Sequence, residues 1–307
     1  MAATAAANRL IVVSGASRGL GVGICRQTLA LDPCAEVVIA ARSLEQATAV
    51  RDELLTTVAT TQRAHALQLD VTDDASCQAA ATALDAMGPA DRPISLVNNA
   101  GVAYDLPWFP APWPAAAAAE TLAVNLYGAE RLTRALLPRL LGSMDGRVVF
   151  ISSGGGRINM RRMADAPRDQ LLSENLTWPD IRTLGDTFTR EYEEAAAAAC
   201  ATREAEAQLP FLSASGLWLQ SYGFSKACLG AYCQLIARTH PTLLSVACSP
   251  GFVKTDMAST YTGESDLKSI DEGGQTPAWL AGCGDRSELQ TAVFYNPDRS
   301  IVGWVAD

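Results

Sequence analysis

Short apolar runs recur along this chain, each closed by small or polar residues, with helical patterns between them. Leu10-Ile11-Val12-Val13 opens the series, followed by Val37-Val38-Ile39-Ala40, Ala64 to Leu69, Ile94 to Val97, Arg147 to Ile151 and Leu243 to Ala247. Runs this short and this continuously apolar read as strands buried on both faces, as in a parallel sheet covered by helices. Leu44 to Thr57 has helical composition. Thr177-Trp178-Pro179-Asp180 carries the marks of a helix start: a capping hydroxyl, an early proline and an acidic first turn. Ile181, Leu184, Phe188 and Tyr192 then fall on one face, and the Ala195 to Ala199 run continues that helix. Thr276 to Leu280 begins a last helix, and Thr291 to Val305 reads as a final strand region. The alternation predicts an α/β fold with a doubly wound, seven-stranded parallel sheet.

Two stretches break the pattern. Residues 103–114 hold four prolines with Trp108, Phe109 and Trp113, which suggests an irregular loop pinned by its aromatic side chains, with an active-site wall as the alternative. Residues 258–274 are polar and irregular, as a lid over a substrate would be. Residues 1–8 are Ala-rich and read as a frayed, flexible tail without the basic start of a signal peptide. No linker, charge block or repeat divides the chain, so residues 1–307 are expected to form one domain.

Composition narrows the function. With 49% hydrophobic residues the chain can furnish a sizeable core, and no apolar run reaches the length of a membrane span. A net charge of −9 disfavours nucleic acid and anionic membranes, both of which reward clustered Lys and Arg. Eight cysteines without a close Cys-x-x-Cys pair fit a reduced cytoplasmic protein with buried thiols. With only His65 and His240 present, neither a His-rich metal site nor a His-based triad is expected.

Chemistry concentrates in a few stretches. In Ser221-Tyr222-Gly223-Phe224-Ser225-Lys226, a helix would stack the Tyr222 phenol and the Lys226 ammonium about one turn apart. A fixed cation there favours phenolate, making Tyr222 a candidate acid near neutral pH. After the first strand, Gly15, Gly19 and Gly21 mark a tight turn into a helix, where backbone N–H groups can approach phosphates. Where the second strand ends, an acidic residue that would hold ribose hydroxyls is missing and Arg42 stands instead, with Arg18 in the glycine turn. Two guanidiniums suit a phosphate. Asn98-Asn99-Ala100-Gly101 offers small residues and amides at a strand end, and Asn125 within a helical stretch needs a local reason by propensity.

In this order, the glycine turn, Asn98-Asn99-Ala100-Gly101, the strand ending in Ser152-Ser153, and Tyr222 with Lys226 resemble the short-chain dehydrogenase/reductase family from about Arg9 to the end. Ser14 stands where Thr usually precedes the first glycine. The long stretch between Ser153 and Tyr222 resembles the monomeric, NADPH-dependent carbonyl reductases of that family, as does Gly216-Leu217-Trp218. The resemblance implies a Rossmann-type sheet with a helical insertion over residues 157–219, and a monomer. It implies Asn125, Ser153, Tyr222 and Lys226 as catalytic residues, with Asn125 helping to hold a water near Lys226. Cofactor contacts are implied at Gly15, Ser17, Arg18, Gly19, Leu20, Gly21, Arg42, Asp70, Val71, Asn98, Ala100, Gly101, Tyr222, Lys226, Pro250, Gly251, Val253 and Thr255. Asp70 would meet the adenine, and capping of the following helix is open to Asp70 or Asp73. Substrate would meet Ser153, Tyr222 and Phe252, the last as an aromatic wall or as ordinary core. The expected reaction is hydride transfer from NADPH to a small hydrophobic aldehyde, ketone or quinone. An NADP-dependent alcohol dehydrogenase and a non-catalytic NADPH-binding redox sensor are the alternatives, the sensor requiring a broken catalytic position where all four are intact.

Overall fold

The computed structural model describes residues 8–32, 34–57, 64–106, 108–109, 114–202, 220–283 and 286–306. Its strands are β1 (Leu10–Ser14), β2 (Glu36–Ala41), β3 (Ala64–Gln68), β4 (Ile94–Asn98), β5 (Gly146–Ile151), β6 (Leu244–Cys248), β7 (Phe294–Tyr295) and β8 (Ile301–Val302). They form one sheet in the order β3-β2-β1-β4-β5-β6-β7-β8. Side chains alternate between two cores, as the two-residue period of a strand requires. Leu10, Val12, Val38, Leu96 and Phe150 face one core, and Ile11, Val13, Ile39, Val97 and Ile151 the other.

The helices are α1 (Leu20–Leu31), α2 (Leu44–Thr57), α3 (Asp74–Asp85), α4 (Ala117–Leu122), α5 (Ala129–Gly142), α6 (Gly154–Arg162), α7 (Asp165–Leu172), α8 (Trp178–Thr202), α9 (Ser221–Thr239) and α10 (Ile270–Ala278). A π-helical turn, Ala123–Gly128, joins α4 to α5. Helices α1, α2 and α10 cover one face of the sheet and the others cover the opposite face. Among the described residues no helix is long and apolar enough to cross a membrane.

Three expectations need correction. The sheet has eight strands rather than seven, because the final region folds back on itself. Asn296 N–H donates to Ser300 O at 2.8 Å, Arg299 adopts φ 68°, and β8 therefore runs antiparallel to β7. The irregular lid stops before Gly274, since α10 begins at Ile270. Ser269 and Glu272 cap that helix reciprocally: Glu272 N–H donates to Ser269 Oγ (3.1 Å) and Ser269 N–H to Glu272 Oε2 (2.7 Å). The helical block before Tyr222 begins at Gly154 rather than at residue 157, since Ser153 accepts from Gly155 N–H at 3.0 Å and caps α6. Residues 1–7 of the expected tail, Trp113, and residues 203–219 with Gly216-Leu217-Trp218 lie outside the described residues.

The sheet's amino edge is a structural charge cluster. Asp145 accepts from Arg147 (2.8 Å) and Arg286 (2.9 Å) and pairs with Arg9, which burial and the neighbouring Arg147 push down to about 10. His65 lies in β3 against Glu36 at 3.1 Å, and His240 ends α9, both away from the carboxyl edge. Cys25, Cys77, Cys228, Cys233 and Cys248 are buried thiols outside any disulfide.

Candidate active site

The carboxyl ends of β1, β4, β5 and β6 carry the residues singled out by their chemistry. Gly15 and Gly19 adopt φ of 63° and 57°, a left-handed backbone that glycine tolerates. A Cβ on Gly15 would also stand 2.8 Å from Ala100 Cα, so the turns after β1 and β4 touch. Ser14 and Asn99 bind those turns together. The Ser14 hydroxyl accepts from Asn99 N–H (3.0 Å) and Ala100 N–H (3.1 Å), and Asn99 Nδ2 donates to Ser14 O at 2.8 Å. Neither residue stood among the expected cofactor contacts, although a polar pair at adjacent strand ends is a readable signal. Helix α1 starts from Gly19 without a side-chain cap, which leaves its N-terminus suited to an anionic ligand.

The turns fit a dinucleotide in other respects. Asp73 caps α3 by accepting from Ala75 N–H and Ser76 N–H, so Asp70 does not have that task. Asp70 accepts from the Thr72 N–H and hydroxyl through Oδ1, and these bonds hold its carboxyl below the ordinary range. Val71 packs on the Gly128 backbone. Arg42 is exposed near Asp70, while Arg18 pairs with Asp256 at 3.1 Å beside the lid. Asn98 turns its amide inward to Thr133 Oγ1 at 3.0 Å, away from the edge, which leaves its backbone as the part able to meet a ligand. Gly251 adopts φ 84° after Pro250, Val253 pairs with Lys268, and the Thr255 methyl would lie 3.4 Å from a Cβ on Gly19.

Ser153, Tyr222 and Lys226 come together because α6 and α9 approach closely. A Cβ on Gly156 would lie 2.9 Å from the Lys226 carbonyl carbon, and one on Gly223 would overlap the Asn159 amide. The Ser153 hydroxyl lies beside the Tyr222 phenol, whereas Ser152 Oγ donates to the Lys226 carbonyl at 3.2 Å. Lys226 Nζ stands 5.6 Å from the Tyr222 ring centroid and donates to Ile151 O at 2.7 Å. Burial draws the Lys226 ammonium down to about 8. The expectation that this cation holds the Tyr222 phenol below its ordinary value is not met. Burial pushes Tyr222 up, and the Ser153 hydroxyl beside it opposes that shift.

Asn125 sits on the π-helical turn, buried, with Oδ1 accepting from Val102 N–H (2.8 Å) and Nδ2 donating to Val102 O (2.9 Å) and Ser225 Oγ (3.0 Å). That is the local reason a helical Asn needs, and π-turns gather at such sites. A Cβ on Gly101 would lie 3.4 Å from Asn125 Oδ1 and 3.6 Å from Lys226 Nζ, so glycine keeps open the space between them. After the Pro250-Gly251 turn, Phe252 packs with Trp108 (5.1 Å between centroids) and Tyr261 (4.5 Å). Trp108 Nε1 donates to Met257 O at 2.9 Å, pinning the proline-rich loop to the lid. Among the described residues no cluster of His, Cys, Asp and Glu could hold a metal.

Residues 9–165 match the family model described as short chain dehydrogenase. The chain belongs to the short-chain dehydrogenase/reductase family. The (+)-neomenthol dehydrogenase of Arabidopsis thaliana is 31% identical over 89% of this chain and 91% of its own. Carbonyl reductase (NADPH) 3 of Homo sapiens is 29% identical over 97% of this chain and 99% of its own. Salutaridine reductase from Papaver somniferum shares the fold, with a TM-score of 0.76 at 23% identity over 94% of this chain and 99% of its own. As a family member the protein is an oxidoreductase that uses a nicotinamide cofactor.

Proposed function

We propose that this protein reduces the carbonyl of a small hydrophobic aldehyde, ketone or quinone to an alcohol with NADPH, acting as a monomer. The observation that carries the reading is the Ser153–Tyr222 hydroxyl pair beside the buried Lys226 at the carboxyl edge of the sheet. When bound, the cofactor supplies a hydride to the carbonyl carbon. Tyr222 then gives its phenolic proton to the oxygen as negative charge develops there, and Ser153 donates a hydrogen bond to the same oxygen. A phenol kept protonated by burial suits this direction, since reduction starts from the acid and oxidation from the phenolate. Lys226 adds positive charge next to Tyr222 and would hold the ribose of the cofactor. Asn125 fixes the Val102 backbone, and the gap that Gly101 leaves between Asn125 and Lys226 suits a water that returns a proton to Tyr222.

The choice of NADPH rests on Arg42, which stands where an acidic residue would hold ribose hydroxyls, and on Arg18 in the glycine turn. The relative from Homo sapiens bears NADPH in its name. Phe252, backed by Trp108 and Tyr261, provides an aromatic wall for planar carbonyl compounds. The test is loss of NADPH absorbance with a panel of ketones, aldehydes and quinones. Turnover of hydrophobic members is expected, and a panel on which no compound drives NADPH oxidation would overturn the reading.

A further inference from the structure

Asp105, on the loop after β4, is fully buried. A carboxylate removed from water needs partners that replace its hydration. It finds them on the helix that carries Tyr222. The Ser221 N–H donates to its Oδ2 at 2.5 Å, and the Tyr222 N–H approaches its Oδ1 at 3.4 Å. The Tyr192 phenol of the inserted helix α8 stands against the same carboxyl group. Helix α9 has no side-chain cap of its own, because Gln220 at its N-cap makes no such bond. Asp105 supplies the cap from 116 residues earlier in the chain. Two further contacts grip the same turn: Ser221 Oγ bonds Thr121 Oγ1 at 3.1 Å, and the Phe224 ring stacks on Phe188 with centroids 4.0 Å apart.

We propose that Asp105 is a positioning residue for Tyr222, fixing the first turn of α9 so that the phenol stays against Ser153. This role rests on the reductase reading above. Asp105 acts through the helix backbone, and the insertion thereby takes part in placing the proton donor. The geometry of the reacting groups is where a small error matters, because a misplacement of about 1 Å can slow a reaction about 100-fold.

The experiment compares Asp105→Asn and Asp105→Ala with the wild-type protein on an active carbonyl substrate, in samples that melt cooperatively. Turnover per folded molecule and NADPH affinity by nucleotide fluorescence are both read. A cap that merely stabilises the fold would lower the melting temperature and leave kcat of the folded molecules unchanged. The positioning role predicts a graded loss of kcat, roughly 3- to 10-fold in Asp105→Asn, which keeps an acceptor, and roughly 10- to 100-fold in Asp105→Ala, with NADPH affinity held within about twofold. Should Asp105→Ala fail to fold, Asp105→Asn decides alone. A folded variant of either kind with kcat within about twofold of wild type overturns the assignment. If the wild-type protein turned over nothing on the panel, the reductase reading would fall and this role with it. Active wild type with silent Asp105 variants would sink the positioning role alone.

Discussion

Lys226 carries an ammonium into a place that water barely reaches, 4% exposed at the foot of the Tyr222 turn. Its amine titrates at 10.5 unfolded and near 8 folded. Between those values the unfolded chain binds more protons than the folded one, so this residue makes stability rise with pH from about 8 to about 10.5. Below pH 8 both states are protonated, and burying the charge costs the fold about 3 kcal/mol. Lys226→Met keeps the stem and drops the charge. Urea melts at pH 7 should show it about 1–3 kcal/mol more stable than wild type while turnover is lost, and equal or lower stability would refute the cost. The proposed preference for NADPH also turns on single residues. A charge-assisted contact to a phosphate is worth roughly 1.5–3 kcal/mol, so Arg42→Ala should weaken NADPH roughly 10- to 150-fold and spare NADH. Equal losses for both would remove Arg42 from that role. At this scale the sequence was legible where spacing encodes contact, as with Tyr222 and Lys226. It was opaque for Asp105, whose backbone partners at Ser221 and Tyr222 lie more than a hundred residues away, and for the Tyr222 phenol, whose pKa follows from burial that no local pattern records.

Helix α8 illustrates what an amphipathic pattern can and cannot tell. The face of Ile181, Leu184, Phe188 and Tyr192 is buried as the periodicity foretold. What it would be buried against was not written in the segment itself. In the structure it packs on α4 and α9, supporting the helix that carries Tyr222. Family oligomers commonly pair the helices that flank the active-site Ser and Tyr, here α5 and α9, and the block from α6 to α8 lies against α9. A monomer should result. Light scattering at micromolar concentration is expected to give a mass near 32.4 kDa, and a stable tetramer would contradict it. Helix α10 carried its start signal in plain view. Ser269 and Glu272 have the spacing of a capping box, masked by the polar residues around them.

Across the whole molecule the sheet separates two tasks: its carboxyl edge gathers Ser153, Tyr222 and Lys226, and its amino edge holds Asp145 among Arg9, Arg147 and Arg286. The alternating runs made this sheet readable, but its eighth strand is a two-residue segment too short for any period to mark. Asp145 loses hydration on burial, yet its arginines hold it down to about 2, against 3.8 when free. Its contribution to stability is therefore complete above pH 3.8 and lost as pH falls towards 2, worth about 2 kcal/mol. Acid unfolding should follow that window, and Asp145→Asn should flatten it; an unchanged acid profile would show the cluster to be inert. The central claim is that this architecture serves proton donation by Tyr222 to a reduced carbonyl. Tyr222→Phe keeps the ring and its packing and deletes only the acid. The decisive measurement is turnover of a good carbonyl substrate by this variant beside its NADPH affinity. Turnover should fall by roughly 10²–10⁴-fold with affinity nearly unchanged, and near-native turnover would contradict the assigned chemistry.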